Sequence, residues 1–125
     1  MIDTSREKPQ SRLMAYDHTI LLAHGSRDPR WSQPFRDLCS KLGSRTARIS
    51  LAFMELCDPD LQVAIDQAVA GGATRIAVLP LFLAAGRHLR EDVPGQIERI
   101  RQTHGVVITL LPAIGEQPVF ASFLE

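Results

Sequence analysis

Apolar segments of strand length alternate with segments of helical periodicity along the chain, and this alternation is the feature that most constrains its fold. The first apolar run, His18 to Ala23, is unbroken, as expected for a strand covered on both faces of a sheet. Similar runs lie near Arg48 to Met54, at Arg75 to Leu83 and at Val106 to Leu111. Helical connections between such strands require parallel pairing with right-handed crossovers. The sequence therefore predicts a small doubly wound α/β domain with about four parallel strands flanked by helices.

Cap residues mark where the helices begin. Asp28-Pro29 and Asp58-Pro59 each place an N-cap carboxylate before a proline at the first helical position. A third helix is predicted over Leu89 to Thr103, and a short final helix over Gln117 to Leu124. Pro80 falls inside the third apolar run, where a fully paired central strand should not contain a proline. Either the strand ladder already frays at Pro80, or this strand is less central than its apolar character indicates.

Length and composition indicate one ordinary globular domain. The 125 residues are 45% hydrophobic and 22% charged, and we assign 1–16 to a flexible N-terminal tail and 17–125 to a single domain. The 14 basic residues balance the 14 acidic ones, which argues against nucleic-acid binding through a broad basic surface. No apolar run approaches membrane length, and Cys39 and Cys57 are predicted to be free thiols in a reducing compartment. We therefore expect a cytoplasmic protein with neither nucleic acid nor membrane as partner.

Metal-ligating side chains come after three of the predicted strands. His24 lies directly after the first apolar run, Glu55 after the second, and His88 shortly after the third. Parallel strands end at one edge of a sheet, which is where open α/β sheets bind ligands. Two imidazoles and a carboxylate suit Co, Ni, Zn or Fe(II), and a set of three leaves a coordination position open. Each residue alone could equally be a capping histidine or a solvent-facing carboxylate; the recurrence on three strands favours a metal site.

Basic residues surround the two histidines in the sequence. Arg27, Arg87 and Arg90 could form guanidinium forks for carboxylate or phosphate groups of an anionic ligand. The acidic pair Glu91 and Asp92 is expected instead to favour the first turn of the third helix through its dipole. The chain contains none of the common nucleotide-binding, serine-hydrolase or zinc-finger motifs.

The strand exits resemble those of a known family. The segment Ala23-His24-Gly25-Ser26-Arg27, Glu55, the segment 86–94 with the sequence GRHLREDVP, and the late Gly115-Glu116 look like the class II chelatases. More narrowly, they resemble the short CbiX-type sirohydrochlorin cobaltochelatases. The resemblance implies a chelatase-like, flavodoxin-like domain that inserts a divalent metal into sirohydrochlorin without ATP or an organic cofactor. Co²⁺ is the metal it implies first, with Fe²⁺ or Ni²⁺ as alternatives.

Particular roles are implied by the same resemblance. It implies that His24 and His88 are the catalytic metal ligands and that Glu55 is the third ligand. Sirohydrochlorin carries carboxylates around its rim, so the substrate-binding residues are expected to be Ser26, Arg27, Arg87 and Arg90. Position 87 departs from the family pattern, since many relatives carry glycine or another residue there. Short members correspond to half of the longer two-lobed chelatases, which implies a homodimer with the site between the subunits.

Other functions remain open on the sequence. The enzyme could be a sirohydrochlorin ferrochelatase of sirohaem synthesis, because the ligand set does not choose between cobalt and iron. A non-catalytic metal or tetrapyrrole carrier could use the same three residues. Phosphoryl transfer at His24, with Arg27 and Arg87 as a phosphate clamp, is a more distant alternative. Histidine phosphatases carry arginine before that histidine, where this chain has Ala23.

Overall fold

A computed structural model describes residues 15–44 and 48–125, apart from the side chain of His88. Its one sheet contains β1 (His18–Ala23), β2 (Ile49–Phe53), β3 (Arg75–Pro80) and β4 (Val107–Leu110). All pairs are parallel, in the order β2-β1-β3-β4. The helices are α1 (Pro29–Gly43), α2 (Leu61–Ala70), α3 (Arg87–His104) and α4 (Pro118–Leu124), with a 3₁₀ turn at Ile114–Glu116. The predicted four-stranded parallel α/β fold is confirmed. The predicted tail lies outside the described residues except for its last two.

The two faces of the sheet carry separate apolar clusters. Along β1, Ile20 and Leu22 join the cluster formed with α2 and α3, whereas Leu21 and Ala23 join the one formed with α1. Successive side chains of a strand point to opposite faces. Helices on both sides of the sheet therefore explain why the strand reads as an unbroken apolar run.

The third strand ends at its proline. β3 lies inside the sheet between β1 and β4, so the expectation of a less central strand does not apply. Pro80 is its last residue and pairs in register with Leu22. Pairing with β4 already stops two residues earlier, at Val78. Pro80 has no N–H to donate, but the strand ladder is already ending there. The proline therefore leaves no gap within a fully paired strand. Residues 81–83, which the apolar run placed in the strand, belong to the following loop.

One of the two predicted helix caps is wrong. Asp28 caps α1 as expected, but α2 is capped by Asp60, whose carboxylate accepts a hydrogen bond from the Val63 N–H at 2.9 Å. The end of β2 donates an N–H to the carbonyl oxygen of Pro59 at 2.8 Å. Pro59 is thus still hydrogen-bonded to the end of β2. The helix begins two residues later than an N-cap at Asp58 would place it.

Two smaller expectations can also be compared with the fold. Cys39, on α1, and Cys57, in the loop after β2, are both free thiols, as predicted. In the part of the chain that the structure describes, no helix combines the length and apolar character needed to cross a membrane.

Candidate metal site at the carboxyl edge of the sheet

His24 and Glu55 lie side by side where β1 and β2 end. The two strands are in register up to their last residues, and the Met54 N–H donates to the Ala23 carbonyl oxygen at 2.9 Å. This pairing carries the next residues out of the sheet together. The Nδ1 atom of His24 lies 3.6 Å from Oε1 of Glu55, with the two side chains 55% and 46% exposed. The structure therefore brings together two of the three predicted metal ligands.

The spacing of this pair suits a shared cation. At 3.6 Å the His24–Glu55 contact is longer than an ordinary N–H···O hydrogen bond. Two ligand atoms bound to one tetrahedral ion at about 2.0–2.2 Å lie about 3.4 Å from each other. An ion could thus join the imidazole and the carboxylate with little movement of either side chain.

The main chains beneath the pair are in direct contact. A Cβ atom built on Gly25 would lie 1.6 Å from the carbonyl oxygen of Glu55, so only glycine fits. Leu56 comes next with a left-handed φ of 69°, and the Cys57 N–H donates to the Glu55 carbonyl at 2.9 Å. Non-glycine residues are held in this region only when their surroundings fix them. The turn that presents Glu55 is therefore defined by its packing.

Two aromatic residues position His24. The Phe82 ring stacks on the imidazole with centroids 4.3 Å apart and an interplanar angle of 27°. The indole N–H of Trp31 donates to the His24 carbonyl oxygen at 2.9 Å. One contact orients the imidazole and the other anchors its main chain. Neither residue was predicted as part of the site, and both meet His24 only through the tertiary fold.

His88 enters the fold at the same edge of the sheet. Its backbone lies in the first turn of α3, which comes after the β3 loop. Its side chain lies outside the described part of the structure. Within the described side chains, no group of three His, Cys, Asp or Glu residues is placed to hold a metal ion. The assignment of His88 as a metal ligand thus stays a prediction.

The loop between β3 and α3 is fixed by the 3₁₀ turn near the end of the chain. The Ala85 N–H donates to Oε1 of Glu116 at 2.9 Å, and the Gly115 N–H donates to the Phe82 carbonyl at 2.9 Å. A Cβ on Gly115 would lie 1.9 Å from the carbonyl oxygen of Leu83, which is why the close approach needs glycine. The motif residues Gly115 and Glu116 therefore support the loop that leads into the first turn of α3.

A cavity of about 590 Å³ opens beside the His24–Glu55 pair, between the strand exits and α3. Its wall carries one imidazole, three carboxylates and one guanidinium. The lining residues are His24, Met54, Glu55, Glu91, Asp92, Val93, Gly95, Gln96 and Arg99. The acidic pair that the sequence assigned to the helix dipole thus also faces this cavity.

The four predicted substrate-binding residues are not among the residues that line the cavity. The four are Ser26, Arg27, Arg87 and Arg90. The Arg87 guanidinium is paired with Glu91 at 3.0 Å, and the Ser26 hydroxyl accepts a hydrogen bond from the Asp28 N–H at 3.1 Å. Arg27 and Arg90 are exposed. Their proposed contact with substrate stays a prediction. Arg99, which the sequence analysis missed, does line the cavity.

A parallel α/β sheet that presents a histidine and a carboxylate at its carboxyl edge, beside an open cavity, is the arrangement that the resemblance to the class II chelatases implies. The CbiX family model matches residues 18–125, and the chain belongs to the CbiX family.

Relatives named sirohydrochlorin cobaltochelatase are similar to the chain at modest identity. The protein from Methanopyrus kandleri is 36% identical over 78 residues, covering 60% of this chain and 54% of that protein. The chain thus aligns with about half the length of this relative. The protein from Sulfurisphaera tokodaii is 29% identical over 106 residues, covering 85% of this chain and 86% of its own length.

Solved structures share the fold. A CbiX protein from Marinobacter aquaeolei VT8, named for cobalamin (vitamin B12) biosynthesis, is 43% identical with a TM-score of 0.77, covering 86% of this chain and 89% of that chain. The sirohydrochlorin chelatase SirB from Bacillus subtilis subspecies spizizenii, in complex with cobalt, is 26% identical with a TM-score of 0.68. That match covers 74% of this chain and 41% of SirB. SirB from Bacillus subtilis with Fe³⁺ is 27% identical, with a TM-score of 0.69, and covers 78% of this chain and 40% of that one.

Proposed function

We propose that the protein inserts a divalent metal, first of all Co²⁺, into sirohydrochlorin without ATP, in the biosynthesis of cobalamin. The observation that carries this proposal is the His24–Glu55 pair, 3.6 Å apart and open to a cavity, in a chain of the CbiX family. The relatives named sirohydrochlorin cobaltochelatase support cobalt as the metal. The absence of dedicated thiolate ligands in the proposed set suits an ion that is substrate and must be released.

The proposed reaction needs a group that both binds metal and accepts protons. Metallation removes two pyrrole N–H protons while the ion leaves its protein ligands. A neutral imidazole binds divalent metals and takes up a proton near neutral pH. We assign this role to His24, with His88 as its counterpart from the start of α3 and Glu55 as the carboxylate ligand. Phe82 would keep the His24 ring in one orientation as the ion is transferred.

The anionic rim of the substrate gives the surrounding basic residues a role. Sirohydrochlorin has eight carboxylates, and we propose that Arg27, Arg87, Arg90 and Ser26 contact those that extend beyond the cavity. Arg87 would then exchange its exposed ion pair with Glu91 for a substrate carboxylate, which is feasible because such surface pairs contribute little energy.

We further propose that two copies of the chain form the complete site, in the cytoplasm. The chain aligns with 41% of the SirB chain, so two copies would approximate the content of one SirB molecule. A single four-stranded domain presents a shallow edge, whereas a flat macrocycle has two faces to cover. A homodimer would supply the second wall.

Iron insertion is a second candidate, and one observation favours it. SirB, which shares this fold, is known with cobalt and with Fe³⁺. The relatives named above are sirohydrochlorin chelatases, which favours metal insertion over the phosphoryl-transfer alternative at His24.

The test is anaerobic incubation of the purified protein with sirohydrochlorin and Co²⁺, Fe²⁺ or Ni²⁺ in turn. The visible spectrum of the macrocycle reports metallation, and reactions without protein give the background rate. Acceleration with Co²⁺ above the other ions is the expected result. Acceleration with Fe²⁺ alone would make the protein a ferrochelatase. Metal binding without acceleration by any ion would contradict the enzyme and identify a carrier.

A further inference from the structure

Arg99 lies on the wall of the cavity but away from the metal-binding pair. It comes after Asp92, also on this wall, by two turns of α3, or about 10 Å along the helix. A Cβ built on Gly95 would lie 3.6 Å from Nη1 of Arg99. The guanidinium is therefore folded back along the helix over Gly95, towards the end of α3 that adjoins the strand exits.

The Arg99 guanidinium forms no ion pair with a described residue, unlike the guanidinium groups of Arg87 and Arg101 on the same helix. Among the described residues that line the cavity, it is the one cation beside three carboxylates. No described residue accepts a hydrogen bond from its guanidinium, whereas Arg87 is paired with Glu91 and Arg101 with Glu98. A guanidinium fork that lines a cavity, and whose N–H donors are not hydrogen-bonded to a described residue, is suited to a ligand carboxylate.

We infer that Arg99 anchors one rim carboxylate of the tetrapyrrole and so holds one edge of the macrocycle in the cavity. The inference rests on the proposed function. In a tetrapyrrole the metal enters at the centre and the carboxylates project from the rim, so the group that holds the rim must stand apart from the metal ligands. The other ionisable groups on the described wall are three carboxylates and the His24 imidazole of the proposed metal site. Arg99 is therefore the described wall residue suited to hold a rim carboxylate.

The experiment measures binding of metal-free sirohydrochlorin by absorbance titration, together with the KM values for sirohydrochlorin and Co²⁺. The variants are Arg99→Gln and Arg99→Lys. Arg101→Gln is the matched control, because it removes the same charge from the same helix but from a side chain paired with Glu98. We expect Arg99→Gln to weaken sirohydrochlorin binding about tenfold, the scale of one lost charge-assisted hydrogen-bonded contact, with Co²⁺ affinity unchanged. Arg99→Lys should recover part of the loss.

Three results would overturn the inference. One is wild-type binding of sirohydrochlorin by Arg99→Gln; a second is an equal loss in Arg101→Gln, which would indicate bulk charge rather than a contact. A loss of Co²⁺ affinity parallel to that of sirohydrochlorin would likewise point to a structural effect. The proposed function fails separately, when the wild-type protein binds sirohydrochlorin but metallates none. A tenfold loss in Arg99→Gln would then still support the anchor.

Discussion

The main chain of Gly25 packs directly against the carbonyl group of Glu55. A Cβ on Gly25 would come within 1.6 Å of that oxygen. Since Gly25 is next to His24 in the sequence, this contact sets the distance between the exits of β1 and β2. It therefore sets the separation of the His24 imidazole and the Glu55 carboxylate.

Replacing Gly25 with alanine should separate the two strand exits. We expect Gly25→Ala to destabilise the fold by about 1–3 kcal/mol, the range typical of overpacking, and to weaken Co²⁺ binding. Urea unfolding and calorimetric titration with Co²⁺ measure the two effects. Gly71→Ala is the control, because its Cβ would make only an ordinary contact at 3.5 Å and lies at the end of α2. Unchanged Co²⁺ affinity in Gly25→Ala would show that the contact does not set the site geometry.

Removing either proposed histidine ligand should abolish most metal insertion while leaving the fold intact. We expect His24→Ala and His88→Ala each to lower the rate of Co²⁺ insertion by about a hundredfold or more, since even groups that only support a metal ligand are worth ten- to a hundredfold. The His24 side chain is 55% exposed, so its loss leaves no buried cavity. The insertion assay and circular dichroism report activity and fold. His104→Ala is the control, because that imidazole contacts Asp66 at the other end of α3. Near-wild-type insertion in either site variant would contradict the assignment of that histidine as a catalytic metal ligand.

Glu55 should matter less than the histidines. Glu55→Gln keeps an oxygen ligand and similar volume but loses the negative charge that attracts a cation. We expect Co²⁺ affinity or turnover to fall, by less than in His24→Ala. The measurement is Co²⁺ titration followed by the insertion assay, with Glu98→Gln, whose partner is Arg101, as the charge-matched control. If Glu55→Gln and Glu98→Gln behave alike, Glu55 does not belong to the site.

The sequence was most informative about the strands and about the residues directly after them. β1 has the predicted bounds because its neighbours on both faces are apolar helices, which leaves a continuous apolar run. β3 was predicted too long because residues 81–83 are apolar as well. In the structure Phe82 packs on the His24 ring from a loop. Periodicity alone does not separate an apolar loop of this kind from the end of a buried strand.

The candidate site was predictable only as far as strand topology determines it. His24 and Glu55 meet because parallel strands in register end together, and each residue lies directly beyond such a strand. The arginines were chosen for being close to the histidines in the sequence, and this criterion missed Arg99. Positions 92, 95 and 99 do share one side of a helix, so a helical-face analysis of α3 could have found it. The contacts of Trp31 and Phe82 with His24 form only in the tertiary fold, and no pattern in the sequence indicates them.

The hydrogen bond from Ala85 to Glu116 should hold the loop that leads to His88. Glu116→Ala removes the acceptor for the Ala85 N–H, whereas Glu116→Gln keeps an oxygen there. We expect Glu116→Ala to slow metal insertion and to destabilise the fold by about 1 kcal/mol, with Glu116→Gln close to wild type. The insertion assay and urea unfolding test this pair of variants. Equal rates for Glu116→Ala and the wild type would show that the loop holds its position without this contact.

Asp17, at the amino edge of the sheet, should make the free energy of unfolding depend on pH in the acid range. Its carboxylate accepts hydrogen bonds from the Thr74 N–H at 2.9 Å, the Thr74 hydroxyl at 2.8 Å and the Arg75 N–H at 3.0 Å. Partial burial raises the pKa of Asp17, but these hydrogen bonds outweigh it and hold the pKa below the ordinary value of 3.8. Because the folded pKa is the lower one, the carboxylate stabilises the fold fully above the unfolded value, and this stability is lost as pH falls through the folded pKa.

Asp17→Asn tests this dependence directly. We expect the variant to be less stable than the wild type by about 1 kcal/mol at neutral pH, a modest figure because solvent screens the charge at this edge. The difference should shrink as the pH falls below 3.8, the value at which the unfolded chain begins to take up the proton. Urea unfolding at a series of pH values measures it, with Asp37→Asn, whose carboxylate accepts only from Gln33 among the described residues, as control. A difference in stability that stays constant into acid would mean that Asp17 contributes through shape rather than charge. Metal insertion should be unchanged in Asp17→Asn, because Asp17 lies at the edge of the sheet opposite His24.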